Sequence, residues 1–222
     1  MKCVDILSIG PHPDDVEIGC AGFIVKARKF NYQSQIVVVT DGQSSLNGDS
    51  NTRIKEATES ALFLTDKKPI FLHEYDGFLE NNLKLRIKIA NLIRNFKPKI
   101  IISPFDVDKH PDHVSLSLAV KEAIFMARSN IKELEGERHN VQIHLEMLLD
   151  LRSLSQSNIL LEISDVLKDK FRSLDFHRSQ SSVINDYLKL NDAISKSLGF
   201  TFCEAFNLKF CALKDLKFIG EE

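Results

Sequence analysis

Apolar and polar positions follow two patterns along the first half of the chain. Short runs that are almost wholly apolar, such as residues 35–40 (QIVVVT) and 99–103 (KIIIS), indicate strands buried on both faces. Longer stretches between them carry apolar residues at helical spacing, as in residues 83–96. The patterns predict strands at 4–9, 35–40, 69–72 and 99–103, and helices at 16–30, 52–64, 83–96 and 114–127. Strands that alternate with helices are typical of a parallel sheet covered on both faces.

The second half of the chain is less regular but contains both kinds of segment. Its pattern predicts strands at 141–149 and 159–163, and helices at 165–176 and 184–198. It has no linker rich in Pro, Gly or Ser, no long charge run and no internal repeat. The sequence therefore predicts one α/β domain over residues 1–222, with a Rossmann-like, mostly parallel sheet flanked by helices.

The composition argues against several classes of protein. The formal net charge is −2 and the basic residues are scattered, so we expect neither a nucleic-acid partner nor attraction to an anionic membrane. No apolar stretch reaches the roughly 18 residues of a membrane span. The N-terminal apolar run is too short for a signal peptide. We therefore expect a cytoplasmic protein.

The cysteines and the isolated histidines give little indication of function. Cys3, Cys20, Cys203 and Cys211 form no CxxC pair, so we expect small apolar residues inside strands or helices, a reducing compartment and no cysteine-bound zinc. His73 and His144 have apolar neighbours in sequence and are predicted to be hydrogen-bonded core or rim residues. His139 and His177 are predicted to be exposed.

Two short motifs follow predicted strands. Pro11-His12-Pro13-Asp14-Asp15 comes directly after the first strand, and His110-Pro111-Asp112-His113 comes soon after the KIIIS strand. In the strand order 3-2-1-4-5, the first and fourth strands are neighbours and open a crevice at their carboxyl ends. The sequence therefore predicts that loops about 100 residues apart share one site.

The residue types in these loops suit a catalytic zinc. Such a metal takes three His or carboxylate ligands and leaves one position for water. Two histidines and one aspartate meet that need, and the remaining Asp14, Asp112 and His110 are left for the reaction or for orienting the ligands. Plainer roles also fit each motif alone: Asp14 with Glu17 resembles a helix capping box, and HPDH resembles a polar turn.

The two motifs together resemble those of the LmbE-like (PIG-L) N-deacetylase family, which carries a (P/A)HPDD motif and a second HPDH-type motif. Weaker similarities extend along nearly the whole chain: TDG at 40–42, Arg53 with Glu56, Asp76-Gly77, ISDV at 163–166, Ser179-Gln180 and Glu-Ala-Phe at 204–206. The resemblance implies a zinc-dependent enzyme that deacetylates N-acetylglucosamine-type amino sugars or their conjugates. It is also compatible with a homo-oligomer.

The resemblance also implies roles for individual residues. His12, Asp15 and His113 would hold one Zn²⁺ per chain, and Asp14 would be the general base. His110 would stabilise the oxyanion or help to protonate the leaving amine. Arg53 and Asp76 would contact sugar hydroxyls. Independently of the resemblance, the position of Asp112 between two histidines suits it to orient His110, and a solvated loop aspartate is the alternative.

Two departures from the family pattern concern the substrate rather than the metal. Gln43 stands where many relatives have Glu, and His144 lies in a stretch that is tyrosine-rich in many relatives. If that stretch closes the pocket, His144 replaces a tyrosine there.

Three other functions are each compatible with part of the sequence pattern. A dinucleotide-binding protein is disfavoured, because the loop after the first strand lacks GxGxxG and contains two prolines. A magnesium-binding phosphoacceptor module would use Asp14 and Asp15 but gives no role to His12 or to HPDH. A hydrolase of another small N-acyl compound, with zinc, iron or another divalent metal, remains an alternative.

Overall fold

The computed structural model describes residues 3–212 as a seven-stranded sheet with helices on both faces. The strands are β1 Ile6–Gly10, β2 Ser34–Thr40, β3 Ile70–Glu74, β4 Ile100–Pro104, β5 Ile143–Met147, β6 Ile159–Glu162 and β7 Cys203–Cys211. The helices are α1 Asp15–Lys29, α2 Ser50–Thr65, α3 Leu83–Phe96, α4 Pro111–Arg128, α5 Leu167–Leu174 and α6 Ser181–Ser197. Short 3₁₀ helices occupy Leu151–Gln156, Ser164–Val166 and Arg178–Gln180. The mostly parallel α/β class predicted from the sequence is confirmed.

The strand order is β3-β2-β1-β4-β5-β7-β6. The first five strands run parallel, and β1 pairs with both β2 and β4. These two neighbours lie on opposite sides of β1, so the order of the sheet reverses there. The predicted crevice between the carboxyl ends of β1 and β4 is therefore present.

Strand β7 was not predicted. It runs antiparallel between β5 and β6, pairing Met147 with Phe206 and Ile159 with the same residue. The long strand predicted at 141–149 is limited to Ile143–Met147 because the chain leaves the sheet after that residue. Similarly, the helix predicted at 165–176 is limited to Leu167–Leu174, with a 3₁₀ turn before it and another soon after it.

Successive residues of the central strands face opposite sides of the sheet. Leu7 and Ile101 pack with helices α3 and α4, whereas Ile6, Ile100 and Ile102 pack with α1 and α2. Every residue of β1 and β4 is buried, which explains their nearly continuous apolar sequences. The central strands thus form a rigid base for the loops at their carboxyl ends.

Local sequence signals fix where several helices begin. Asp49 accepts a hydrogen bond from the Thr52 backbone N–H at the start of α2, and Asn82 does the same for Leu85 at the start of α3. Pro111 lies in the first turn of α4, so this helix begins earlier than the predicted residue 114. The HPDH motif is consequently part of a helix terminus rather than of a free loop.

Among the described residues, no helix combines the length and the apolar character that crossing a bilayer requires.

Truncation of the central core should cost much more stability than truncation at the surface. Ile101 is fully buried in β4, so Ile101→Ala should lower the free energy of unfolding by about 2–5 kcal/mol. Leu46→Ala, at a fully exposed position, should change it by less than about 0.5 kcal/mol. Urea denaturation measures both; equal losses would contradict the assigned core.

Candidate metal centre and its cavity

The two histidine motifs meet at the carboxyl ends of β1 and β4. Asp15 begins α1, and its Oδ2 lies 2.9 Å from His12 Nδ1 and 3.6 Å from His113 Nε2. Ligand atoms of His12, Asp15 and His113 all lie within 4.8 Å of one another, and all three residues are buried. The structure therefore brings together the three residues that were predicted to hold the metal.

The second ring nitrogen of each histidine contacts a carboxylate. His113 Nδ1 lies 2.9 Å from Asp108 Oδ2. His12 Nε2 lies 3.1 Å from Asp76 Oδ1 and 3.2 Å from Asp112 Oδ2. Histidines that bind zinc usually give their other N–H to a carboxylate in this way, which fixes the ring orientation. The donor set and its surroundings thus fit a zinc ion.

A second group of possible ligands overlaps the first. His12, His110 and Asp112 also present ligand atoms within 4.8 Å of one another. The Asp112 carboxylate, however, already accepts backbone hydrogen bonds from Gly77 (2.7 Å) and Leu79 (3.2 Å). Because those bonds occupy both of its oxygens, we favour the set that contains Asp15.

The contacts of Asp112 and Asp108 differ from those expected from the sequence. Asp112 was expected to orient His110, but its carboxylate contacts His12, and only its backbone N–H reaches His110. The carboxylate that orients His113 is Asp108, which was not predicted as a site residue. Its position in the loop after β4, five residues before His113, was the available signal.

Asp14 does not cap helix α1. It stands at the N-cap position, yet its side chain makes no capping hydrogen bond, so the capping-box alternative is wrong. Instead, its Oδ1 lies 3.3 Å from Arg53 Nη2. Its backbone has φ 129°, a conformation that costs about 1–3 kcal/mol and persists only where surrounding contacts impose it.

The neighbouring carboxylates Asp14 and Asp15 have different environments. Burial and the adjacent Asp15 raise the pKa of Asp14 to about 6, although Arg53 partly offsets them. Burial also opposes ionisation of Asp15, but His113 and His12 outweigh it and lower the pKa of that carboxyl. Asp15 is therefore suited to bind a cation as a carboxylate, and Asp14 to exchange a proton.

His110 is the N-cap residue of α4, and its ring stacks on that of His113 with centroids 4.7 Å apart. Its Nδ1 accepts a hydrogen bond from the Asp112 backbone N–H at 3.3 Å. Burial, with the nearby His12 and His113, lowers the pKa of His110. The acceptor role of Nδ1 places the proton of the neutral ring on Nε2.

Arg53 and Asp76, the predicted sugar contacts, both line the cavity. Arg53 is buried and donates to the carbonyls of Pro13 and Gly42. Asp76 accepts a hydrogen bond from the Ser44 backbone N–H besides its contact with His12. Both residues thus help to build the walls of the site through their contacts within the protein.

The cavity over this cluster has a volume of about 710 Å³. Its lining includes the metal-ligand candidates together with Asp14, Arg53 and Asp76. It also includes Val183, Tyr187 and Leu190, which lie on one face of α6. The cavity therefore offers both polar and apolar side chains to a ligand.

His144 lies in the core, as one reading of the sequence predicted, and it does not line the cavity. It is 1% exposed in β5, where its Nε2 lies 2.9 Å from Ser103 Oγ. It therefore does not replace a tyrosine in the pocket. Burial lowers the pKa of His144 to about 4.

Two other histidines were placed wrongly from the sequence. His177 was expected to be exposed but is buried beside Glu17, whereas His73, expected in the core or rim, is exposed next to Asp41. Cys20, Cys203 and Cys211 lie in a helix or strand as expected, although Cys211 is exposed, whereas Cys3 is exposed and precedes β1.

The chain belongs to the family described as "PIG-L: GlcNAc-PI de-N-acetylase", whose model matches residues 7–124, more than half of the chain. It is 29% identical to the diacetylchitobiose deacetylase of Thermococcus kodakarensis over 192 residues, which cover 79% of this chain and 69% of that protein.

Solved structures resemble the fold closely. The conserved protein TT1542 of Thermus thermophilus superimposes with a TM-score of 0.82 at 25% identity, covering 96% of this chain and 98% of that one. The 4-carboxy-2-hydroxymuconate hydratase GalB of Pseudomonas putida gives 0.79 at 15% identity, covering 97% and 99%. Because a hydratase shares the fold, the fold alone does not define the reaction.

Asp108 should control metal affinity without touching the metal. Asp108→Asn should weaken zinc binding about 10–100-fold, because His113 would lose the carboxylate that orients its ring. Asp106→Asn is the matched control, since this carboxylate lies in the same loop but pairs with Lys209. Competition with a chromophoric chelator measures both affinities; a normal affinity in Asp108→Asn would contradict this assignment.

His144 should make stability depend on pH in a defined direction. Its pKa is about 4 when folded and about 6.5 when unfolded, so the unfolded chain binds an extra proton between these values. Stability is therefore lost as the pH falls from 6.5 to 4, by up to about 3 kcal/mol from this residue.

The variant His144→Gln carries no titrating ring at this position, so its stability should fall less steeply over that pH range. Urea denaturation of both proteins at a series of pH values gives the comparison. Parallel stability curves would rule out this role of His144.

Proposed function

We propose that the protein is a zinc-dependent hydrolase that removes the N-acetyl group from an N-acetylglucosamine-type amino sugar or its conjugate. The observation that carries the proposal is the convergence of His12, Asp15 and His113 with Asp14 and His110 in the lining of one cavity. Family membership and the deacetylase named among the relatives support the reaction type.

Asp14 is the proposed general base. Zinc, when bound, lowers the pKa of a water molecule and polarises an acyl oxygen. Asp14 removes a proton from the attacking water as the oxygen of that water bonds to the acyl carbon. The same carboxyl then gives a proton to the nitrogen as the C–N bond breaks, which releases acetate and the free amine.

His110 is the proposed donor to the negative charge that develops on the acyl oxygen. The backbone N–H of Asp112 donates to Nδ1, so the neutral ring carries its proton on Nε2. His110 can therefore donate a hydrogen bond without first becoming positively charged. A donor held in place before the reaction is effective because it needs no reorganisation as charge develops.

The cavity supports a sugar with an attached group. Arg53 and Asp76 line it and are proposed to contact sugar hydroxyls. The apolar side chains of Val183, Tyr187 and Leu190, also in its lining, provide further surface for an aglycone or a second sugar ring.

The nature of the ligands favours zinc over magnesium. Mg²⁺ prefers oxygen ligands, whereas this set contains two imidazoles. The phosphoacceptor alternative therefore gains no support from the arrangement of His12 and His113. Iron accepts the same donors, so the functional test includes identification of the bound metal.

The test is an acetate-release screen over N-acetylated sugars with the metal-reconstituted protein. N-acetylglucosamine, N,N′-diacetylchitobiose and N-acetylglucosaminides with apolar and anionic aglycones form the first set. Zinc-dependent release of acetate together with a new primary amine is expected. If none of these compounds is hydrolysed while zinc binds stoichiometrically, the proposed deacetylation of amino sugars is contradicted.

Asp14→Asn separates metal binding from catalysis. It should retain zinc, because His12, Asp15 and His113 remain, but lower kcat by about 10²–10⁴-fold through loss of the base. Asp175→Asn, an exposed position outside the cavity, should keep full activity. Metal content and steady-state kinetics measure both effects; full activity of Asp14→Asn would exclude it as the base.

A further inference from the structure

Helix α1, which begins at Asp15, is interrupted at Cys20. This residue has φ −150° and ψ 19°, so the helix consists of a first segment up to Gly19 and a second one from Ala21. A continuous α-helix would pair the Gly22 N–H with the Ile18 carbonyl. Because the segment from 15 to 22 is wholly buried, groups freed by the interruption need partners from elsewhere in the protein.

A buried ion pair supplies those partners. Lys170 Nζ donates to the carbonyls of Glu17 (3.1 Å) and Ile18 (2.7 Å), at the end of the first segment. Glu204 accepts from the backbone N–H groups of Gly22 (2.7 Å) and Phe23 (2.8 Å), at the start of the second segment.

The two side chains also bind each other, with Lys170 Nζ 2.6 Å from Glu204 Oε1, and neither is exposed to solvent. The cation thus lies at a helical C-terminus and the anion at a helical N-terminus, the arrangement that the peptide dipoles favour.

The lack of a side chain at Gly22 leaves room beside this pair. A Cβ there would lie 2.7 Å from Ile163 Cγ2 and 3.0 Å from Glu204 Oε1, so a larger residue would force Ile163 to move and would crowd the carboxylate. Lys170 comes from α5 and Glu204 from β7, two elements far from α1 in sequence. Three parts of the fold therefore meet at the interruption.

We propose that Lys170 and Glu204 are positioning residues that fix the first segment of α1 and thereby place Asp14 and Asp15 in the site. This inference rests on the proposed function for its catalytic readout. A helical segment as short as Asp15–Gly19 has little stability of its own, so its position depends on what holds its ends. Lys170 holds the end opposite Asp15, and the strained backbone of Asp14 requires such external support.

The test compares Lys170→Met with Arg94→Met. Arg94 is also a buried cation that donates to backbone carbonyls, among them those of Ala127 and Ser129. It lies in the last turn of α3, which leads into the amino end of β4, and it does not line the cavity over the metal centre. It therefore controls for the general cost of removing a buried cation. Because Lys170→Met leaves Glu204 buried without its partner and can unfold, the neutral double variant Lys170→Met/Glu204→Gln is made alongside it.

Three readouts distinguish positioning from a merely structural role. The Lys170 variants should bind zinc about 10–100-fold more weakly. Their kcat should fall about 10²-fold, with KM changed less than about 3-fold, because a misplaced base affects the chemical step. Amide hydrogen exchange in peptides covering residues 12–22 should become at least about 10-fold faster. Arg94→Met should match the wild type in all three.

The outcomes separate this inference from the proposed function. Wild-type protein that binds zinc but deacetylates no amino sugar overturns the function, while zinc affinity and hydrogen exchange still test the positioning. Folded Lys170 variants with wild-type zinc affinity and wild-type exchange at 12–22 overturn the inference. So does Arg94→Met if it changes these quantities equally.

Discussion

The parallel pairing of β1 with β4 is the constraint on which the site depends. Ile6 lies opposite Ile100 and Ser8 opposite Ile102, so the two strands end at the same edge of the sheet. Segments about 100 residues apart in sequence thereby contribute His12 and His113 to one cluster. The apolar residues that fix this pairing are remote from the chemistry, yet a shift in their register would separate the two histidines.

The cluster concentrates carboxylates that would repel one another without positive partners. Asp15, Asp76, Asp108 and Asp112 all contact an imidazole, while Asp14 contacts Arg53. Buried carboxylates are costly unless they are paired with cations or bind metal. The arrangement thus favours a divalent cation, and the orienting contacts leave His12 and His113 little rotational freedom. Such preorganisation is what catalysis by electrostatic stabilisation requires.

The sequence was sufficient to predict the parallel sheet, the crevice and the residues that converge there, because each depends on local pattern and on general rules of topology. It was insufficient where contacts with residues distant in sequence determine whether a side chain is buried. The stretch around His177 is polar and reads as exposed, yet packing beside Glu17 buries it. Lys170 lies in a short helix, and nothing nearby in sequence reveals its contacts with α1 and β7. Strand β7 was missed because its sequence, CEAFNLKFC, mixes polar and apolar residues and has no continuous apolar run.

At position 14, the residue that would best suit the backbone conformation differs from the residue that the proposed chemistry requires. Glycine adopts positive φ without steric strain, so Asp14→Gly would relieve the backbone strain at this position. In the present chain, the surrounding contacts have to offset that strain. The same change would delete the proposed base. Selection for thermal stability alone would therefore favour a variant that is more stable but lacks the proposed base. This is an instance of the trade-off between stability and activity.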